Sequence, residues 1–232
     1  MSDKSKISFR IKQMTALAVF AALAYAVHFI HIPVMFLNLD FKDVIMTIGG
    51  MYFGPIAGLV LAIIVPLLEF PTSETMMYGL IMNWLSSISF VFIASIIYRF
   101  KRTFLGAIIA LISAACTMVA VMMVANLFIT PYYMGVDRAT VVSLIPKLLL
   151  PFNAIKAILN AAITLCIYKP ITAILKRAGI GKAISKNEHL YEAQAQHNKM
   201  RSMLVWIIGG VIIIGAFAVV FFVLDGKFMI GS

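Results

Sequence analysis

The residues best placed to do chemistry in this sequence are Asn153, Lys156, Asn160 and Thr164. At about 100° per residue the four fall within about 80° of one another, on one side of a helix whose other side is isoleucine, leucine and alanine. An amide presents a donor and an acceptor side by side, and an ammonium adds three donors. Such a stripe suits a polar heterocycle. The alternative for Lys156 is a stem lying along apolar surface with its ammonium at the water boundary. Asn126 closes another apolar run at the same level. After it, Thr130-Pro-Tyr-Tyr-Met-Gly reads as a loop whose rings either stack on a flat ligand or form an interfacial aromatic belt. A further loop, His31 to Asp43, mixes apolar residues with Asp40 and Asp43, as a segment covering something would. Glu69 and Glu74 flank Pro71-Thr-Ser, where Thr72 or Ser73 can cap the next helix and Glu74 favours its first turn.

Other chemistries find no set of residues. His28 and His31 are three apart, but no carboxylate or cysteine completes a metal site, so none is expected. His189 and His197 read as solvated. No Gly-x-x-x-x-Gly-Lys-Ser/Thr loop is present for ATP, and no Ser/His/Asp or His-Glu-x-x-His arrangement. No cofactor and no enzymatic activity are expected. Cys116 and Cys166 lie in apolar runs and read as small core residues.

The elements that must position these groups are set by composition. Of 232 residues, 62% are hydrophobic and 12% charged, with mean hydropathy +1.02. A soluble domain is roughly 45–50% apolar and about 25% charged, so the chain reads as an all-α polytopic protein whose partner is the lipid bilayer. The net charge of +10 belongs to bases between apolar runs, where they set orientation and meet anionic headgroups. Nucleic acid is not an expected partner.

Apolar runs cover 14–30, 76–98, 104–129, 152–175 and 203–224. Residues 44–68 form one more, interrupted by Gly49-Gly50 and Gly54-Pro55, which is turn chemistry. Charge counting arbitrates. Two short helices, 44–53 and 55–69, with a cytoplasmic N-terminus leave fourteen Lys and Arg inside and four outside, Lys156 excluded. A single helix would leave seven inside and eleven outside. The split is preferred. The short helices measure about 15 and 22 Å at 1.5 Å per residue, and neither crosses a hydrocarbon core alone. The expected organisation is a six-helix domain over 1–175, a basic cytoplasmic linker over 176–202, and a seventh transmembrane helix with a short tail over 203–232. The C-terminus is then extracellular. The seventh helix reads as an anchor, or as a packing helix. Ala18, Ala22 and Ala26 repeat every four residues, a small-x-x-x-small face that lets another helix approach closely.

Five stretches together resemble the substrate-binding S components of energy-coupling factor (ECF) vitamin transporters, and within them the riboflavin-specific branch. These are Ala16-Leu-Ala-Val-Phe-Ala-Ala-Leu-Ala, Leu39-Asp-Phe-Lys-Asp, Thr72-Ser-Glu-Thr before Asn83, Asn126-Leu-Phe, and Leu150-Pro-Phe-Asn-Ala-Ile-Lys. The last is the most specific, and the resemblance covers about 11–176. It implies a six-helix protein that captures riboflavin, or a close flavin, at the outer face. The cell membrane would hold it beside an ECF transmembrane subunit and two cytoplasmic ATPase subunits, which drive release inside. It implies ligand roles for Asn126, Asn153 and Lys156, with Asn160 on the same stripe. The loop Leu39, Asp40 and Phe41 would close over the site, and Ala18, Ala22 and Ala26 would face the membrane partner. The seventh helix departs from the six-helix pattern. The alternative is a membrane-embedded enzyme or scaffold acting on a lipid or small amphipathic molecule.

Overall fold

A computed structural model describes residues 3–73, 75–178 and 180. The linker beyond Ile180 and the expected seventh helix lie outside the described residues. Helix α1 (Asp3–His28) turns Ala16, Phe20 and Ala24 into the bundle at a spacing of four. Ala18, Ala22 and Ala26 face outward on the other side. After α1 the chain forms an antiparallel hairpin of β1 (His31–Val34) and β2 (Leu37–Asp40), with His31 opposite Asp40 and Val34 opposite Leu37. Its two-residue turn uses Met35 at φ 53°, a left-handed conformation that few non-glycine residues adopt. The hairpin adds a small sheet to the expected all-α design.

Helix α2 (Lys42–Phe53) ends at Gly54, whose φ of 113° and ψ of 169° suit only glycine. Pro55 then opens α3 (Pro55–Glu69), with its missing N–H at a position that needs none. The split at Gly54-Pro55 is therefore present. Helix α3 is longer in effect than the sequence suggests, because a 3₁₀ turn (Phe70–Thr72) continues it to an 18-residue apolar span. That is about 27 Å. The two glycines that weaken α2 and α3 in sequence terms allow their backbones to touch. A Cβ on Gly50 would lie 2.9 Å from the Gly58 Cα and against the Ser95 hydroxyl.

Helices α4 (Met76–Ser87) and α5 (Ile93–Phe100) are one span joined by a π turn at Ile88–Phe92. Helix α6 (Phe104–Met134) is capped by Thr103 Oγ1, which accepts from the Gly106 N–H at 3.1 Å, and stops at left-handed Gly135. The expected loop from Thr130 is helical up to Met134: Pro131 lies so near the C-terminus that losing one N–H is tolerated. Helix α7 (Arg138–Leu144) passes through a second π turn (Ile145–Leu149) into α8 (Leu150–Arg177). The sixth span thus begins well before residue 152. Of the cysteines, Cys166 is buried, while Cys116 is exposed on the outside of α6 rather than in the core.

Five helical stretches among the described residues are long and apolar enough to cross a membrane. Helix α2, at 12 residues, is not one of them. It is sheltered by α1, α3, α5 and α8, as a short helix in a membrane must be. One apolar cluster joins α1, α2, α3 and the C-terminal half of α8, including Phe20, Ile48, Leu61 and Tyr168. A second joins α4, α5, α6 and α8 around Phe90, Leu111 and Met118. The third, smaller, is made by the hairpin residues Val34 and Leu39 with Leu148, Phe152, Ile155 and Leu159.

Candidate substrate-binding site

That third cluster places the hairpin over the first turns of α8, so Leu39 is 2% exposed and Asp40 4%. Phe41 is half-buried and closes the same edge. Lys156 lies one turn below Phe152 and is buried, which decides against the snorkelling alternative. Its Nζ donates to Asp40 Oδ2 at 3.1 Å. Asp40 in turn lies 3.8 Å from the Lys42 Nζ, and Lys42 donates to Glu69 Oε2. His28, at the end of α1, puts Nδ1 3.5 Å from the same Glu69 oxygen. Lys42 and Glu69 are themselves 0% and 2% exposed. Five ionisable groups from α1, the hairpin, α2, α3 and α8 thus form one continuous chain inside the protein.

A buried ion pair is held only when geometry and hydrogen bonds offset desolvation. Asp40 lies outside the membrane-spanning helices, and its carboxyl reports the balance. Burial works against its ionisation, but the ammonium groups of Lys156 and Lys42 outweigh burial and hold it below the usual carboxylate range. Asp40 Oδ1 and Glu69 Oε1 are buried without a hydrogen-bond partner among the described residues. Buried acceptors of this kind are uncommon in folded proteins.

The remaining stripe residues are placed differently. Asn153 is 2% exposed, and its Nδ2 donates to the Leu149 carbonyl, the last of the π turn, at 2.7 Å. Asn126, 1% exposed, donates to the Met122 carbonyl at 2.7 Å and accepts from Thr130 Oγ1 at 2.8 Å. Both amides are oriented by their own helices. Asn160 and Thr164 continue the stripe inward and are fully buried, and Asn160 Nδ2 lies 3.5 Å from Asp43 Oδ2. Asp43 also accepts from Ser87 Oγ at 2.6 Å. The structure therefore brings Lys156, Asp40 and Asn160 into one polar seam beneath Leu39 and Phe41. Asn126 and Asn153 are buried without a direct link to it among the hydrogen bonds described.

The sequence reading missed Lys42, Glu69 and His28 as members of this seam. In the sequence Lys42 falls among the four outer bases of the preferred topology, and Glu69 reads as part of a capping turn. Thr72 instead donates to the Glu69 carbonyl at 2.9 Å, and α4 begins after Thr75 without a side-chain cap. The available signal was a glutamate ending an apolar helix, an intramembrane ionisable group of the kind that marks a site. His28 and His31 stack with ring centroids 6.1 Å apart.

A seam of this design, roofed by a hairpin near one end of the bundle, can hold a small polar molecule by charge-assisted hydrogen bonds. Comparison with known proteins gives it a family. A family profile described as "ECF transporter, substrate-specific component" matches residues 12–168. The chain belongs to that family. This S component is 31% identical to the riboflavin transporter RibU of Staphylococcus aureus (strain TCH60), over 76% of this chain and all of that one. It superposes on a solved structure, the S component of a bacterial ECF transporter, with a TM-score of 0.63 and 30% identity. That match covers 72% of this chain and 99% of the other. The expected fold class, a multi-pass all-α S-component bundle, and the resemblance to the RibU type both hold. The family is one of transporter components that bind a substrate, not of enzymes.

Proposed function

We propose that this S component captures riboflavin, or a close flavin, beneath the hairpin and passes it inward with energy from an ECF transmembrane subunit and two ATPase subunits. The observation that carries the reading is the buried polar face of α8, where Lys156 meets Asp40 beneath the hairpin and Asn153 is buried about one turn before it. The similarity to a riboflavin transporter supports the choice of ligand. The pyrimidine edge of an isoalloxazine alternates carbonyl acceptors with one N–H donor. The Asn153 amide answers both kinds of group, Lys156 donates to a carbonyl or ring nitrogen one turn along, and Asn126 approaches from α6. Asn160 is a weaker contributor because Asp43 already engages it. The outward row Ala18, Ala22 and Ala26 is the face for the transmembrane subunit. The charge distribution supports a cytoplasmic N-terminus, which makes the hairpin end extracellular.

Flavin fluorescence quenching by the purified protein tests the reading. Lys156→Met keeps the stem and removes the donor. Leaving a ligand acceptor unanswered costs about 1–3 kcal/mol, so the dissociation constant rises roughly 5–150-fold. Unchanged affinity in both Lys156→Met and Asn153→Leu would remove the α8 site.

A further inference from the structure

The polar side chains of the hairpin end, α2 and α8 meet in register. Asp40 contacts Lys156 at 3.1 Å and Asp43 contacts Asn160 at 3.5 Å. Helices α2 and α8 therefore run in the same direction, and one turn further along each stand Thr47 and Thr164. Asp43, Thr47, Asn160 and Thr164 are all 0% exposed. Thr47 Oγ1, Asn160 Oδ1 and Thr164 Oγ1 have no hydrogen-bond partner among the described residues. Thr47 stands one helical turn from Asp43 on α2, and Thr164 one turn from Asn160 on α8, so the unanswered oxygens belong to the residues that flank the Asp43–Asn160 contact.

The ion pairs leave Asp43 out as well. Among the described residues Asp43 is the buried carboxylate that neither Lys42 nor Lys156 contacts. Both ammoniums are engaged, on Glu69 and on Asp40. Asp43 is left with neutral hydrogen-bond partners, the Ser87 hydroxyl and the distant Asn160 amide. A buried carboxylate without a counter-charge is unfavourable, because nothing offsets its desolvation.

We propose that Asp43, Thr47, Asn160 and Thr164 form a binding site for one small monovalent cation of the sodium type, between α2 and α8. The donors are all oxygens, which selects a hard cation over a transition metal. A single uncompensated negative charge matches one positive charge rather than two. Turning the Asn160 amide over sets Oδ1 where Nδ2 stands, 3.5 Å from Asp43 Oδ2. Two oxygens at that separation, each about 2.4 Å from a cation of calcium's size, subtend about 90° at it, the angle between neighbouring ligands in an octahedron. Ser87 fixes the other carboxylate oxygen and so the direction of Oδ2. The site shares only Asn160 with the flavin reading: it lies inward of Lys156, and its cation is needed whether or not a flavin is bound.

The test is thermal unfolding of the purified full chain, without flavin, followed by circular dichroism in sodium, potassium or choline chloride at equal ionic strength. A ligand bound only by the folded state stabilises it by mass action. Each tenfold rise in sodium above its dissociation constant therefore raises the folded-to-unfolded ratio tenfold, and choline does nothing. Thr47→Val and Thr164→Val keep the shape and remove one oxygen each, and each weakens the sodium response whatever it does to the baseline. Asp43→Asn removes the response and unfolds in choline no earlier than the parent. Equal midpoints in the three salts overturn the proposal, as does a sodium response that survives both threonine variants. A midpoint that rises on acidification without any sodium response assigns the compensating charge to a proton on Asp43, and also overturns it.

Discussion

Replacing Lys42 by methionine is the most direct challenge to the buried charge chain. Methionine retains most of the stem, so the packing loss is small and the effect is electrostatic. Lys42 is fully buried and is the partner of Glu69, with Asp40 at 3.8 Å. Its removal leaves a buried glutamate beside only the His28 ring and takes one of two ammoniums from Asp40. Removing one member of a buried pair costs about 3–5 kcal/mol. A chain of this size loses roughly 2–4 °C of melting temperature per kcal/mol, so a fall of roughly 6–20 °C is expected in detergent without flavin. Adding Glu69→Gln to Lys42→Met removes the orphaned charge and should restore at least half of that fall. Glu69→Gln alone costs less than Lys42→Met, because Lys42 keeps Asp40. The double-mutant cycle then shows a coupling of about 0.5–3 kcal/mol, as for groups in one network. A shift below about 2 °C for Lys42→Met, or strict additivity in the double variant, would refute the continuous chain of charges.

Two shorter predictions accompany it. Ala22→Leu on the outward face of α1 should leave flavin binding by the isolated protein within about twofold, since Ala22 is exposed, yet energised uptake in cells should fall because a bulky side chain blocks close helix approach. Uptake that survives Ala22→Leu and Ala26→Leu together would leave this face to lipid. Gly50→Ala should destabilise by about 1–3 kcal/mol, the range for overpacking, because its Cβ meets the Gly58 backbone at 2.9 Å; an unchanged unfolding midpoint would mean that α2 and α3 do not cross there.

Local chemistry made part of this fold legible. The Gly54-Pro55 break could be read because it rests on backbone preferences that neighbours do not override. Lys156 could be singled out because an ammonium amid isoleucine and alanine has few explanations. The hairpin could not be foreseen. Its turn is Met35-Phe36 rather than an Asn-Gly or Asp-Gly pair, and its register is fixed by Leu39 packing on α8, a contact more than a hundred residues away in sequence. Glu69 was read from its neighbours Pro71, Thr72 and Ser73, whereas its partner Lys42 lies 27 residues earlier. Asn126 and Asn153 stand out in the sequence as amides at the end of an apolar run and on a polar stripe, but that each is oriented by its own helix follows from rotamers that no pattern of types discloses.

The connections of the hairpin have a mechanical consequence. Only Phe29 and Ile30 separate β1 from α1, and only Phe41 separates β2 from α2. A flap tethered so tightly at both roots cannot stretch or peel away strand by strand. It can only swing as a plate about an axis through those roots. Asp40 pairs with His31 at the root end of the hairpin, so such a swing moves the tip, Met35 and Phe36, furthest, while the Lys156–Asp40 clasp sits beside the axis. Helix α1 carries one of the two roots, so a tilt of α1 would turn that axis and the plate with it.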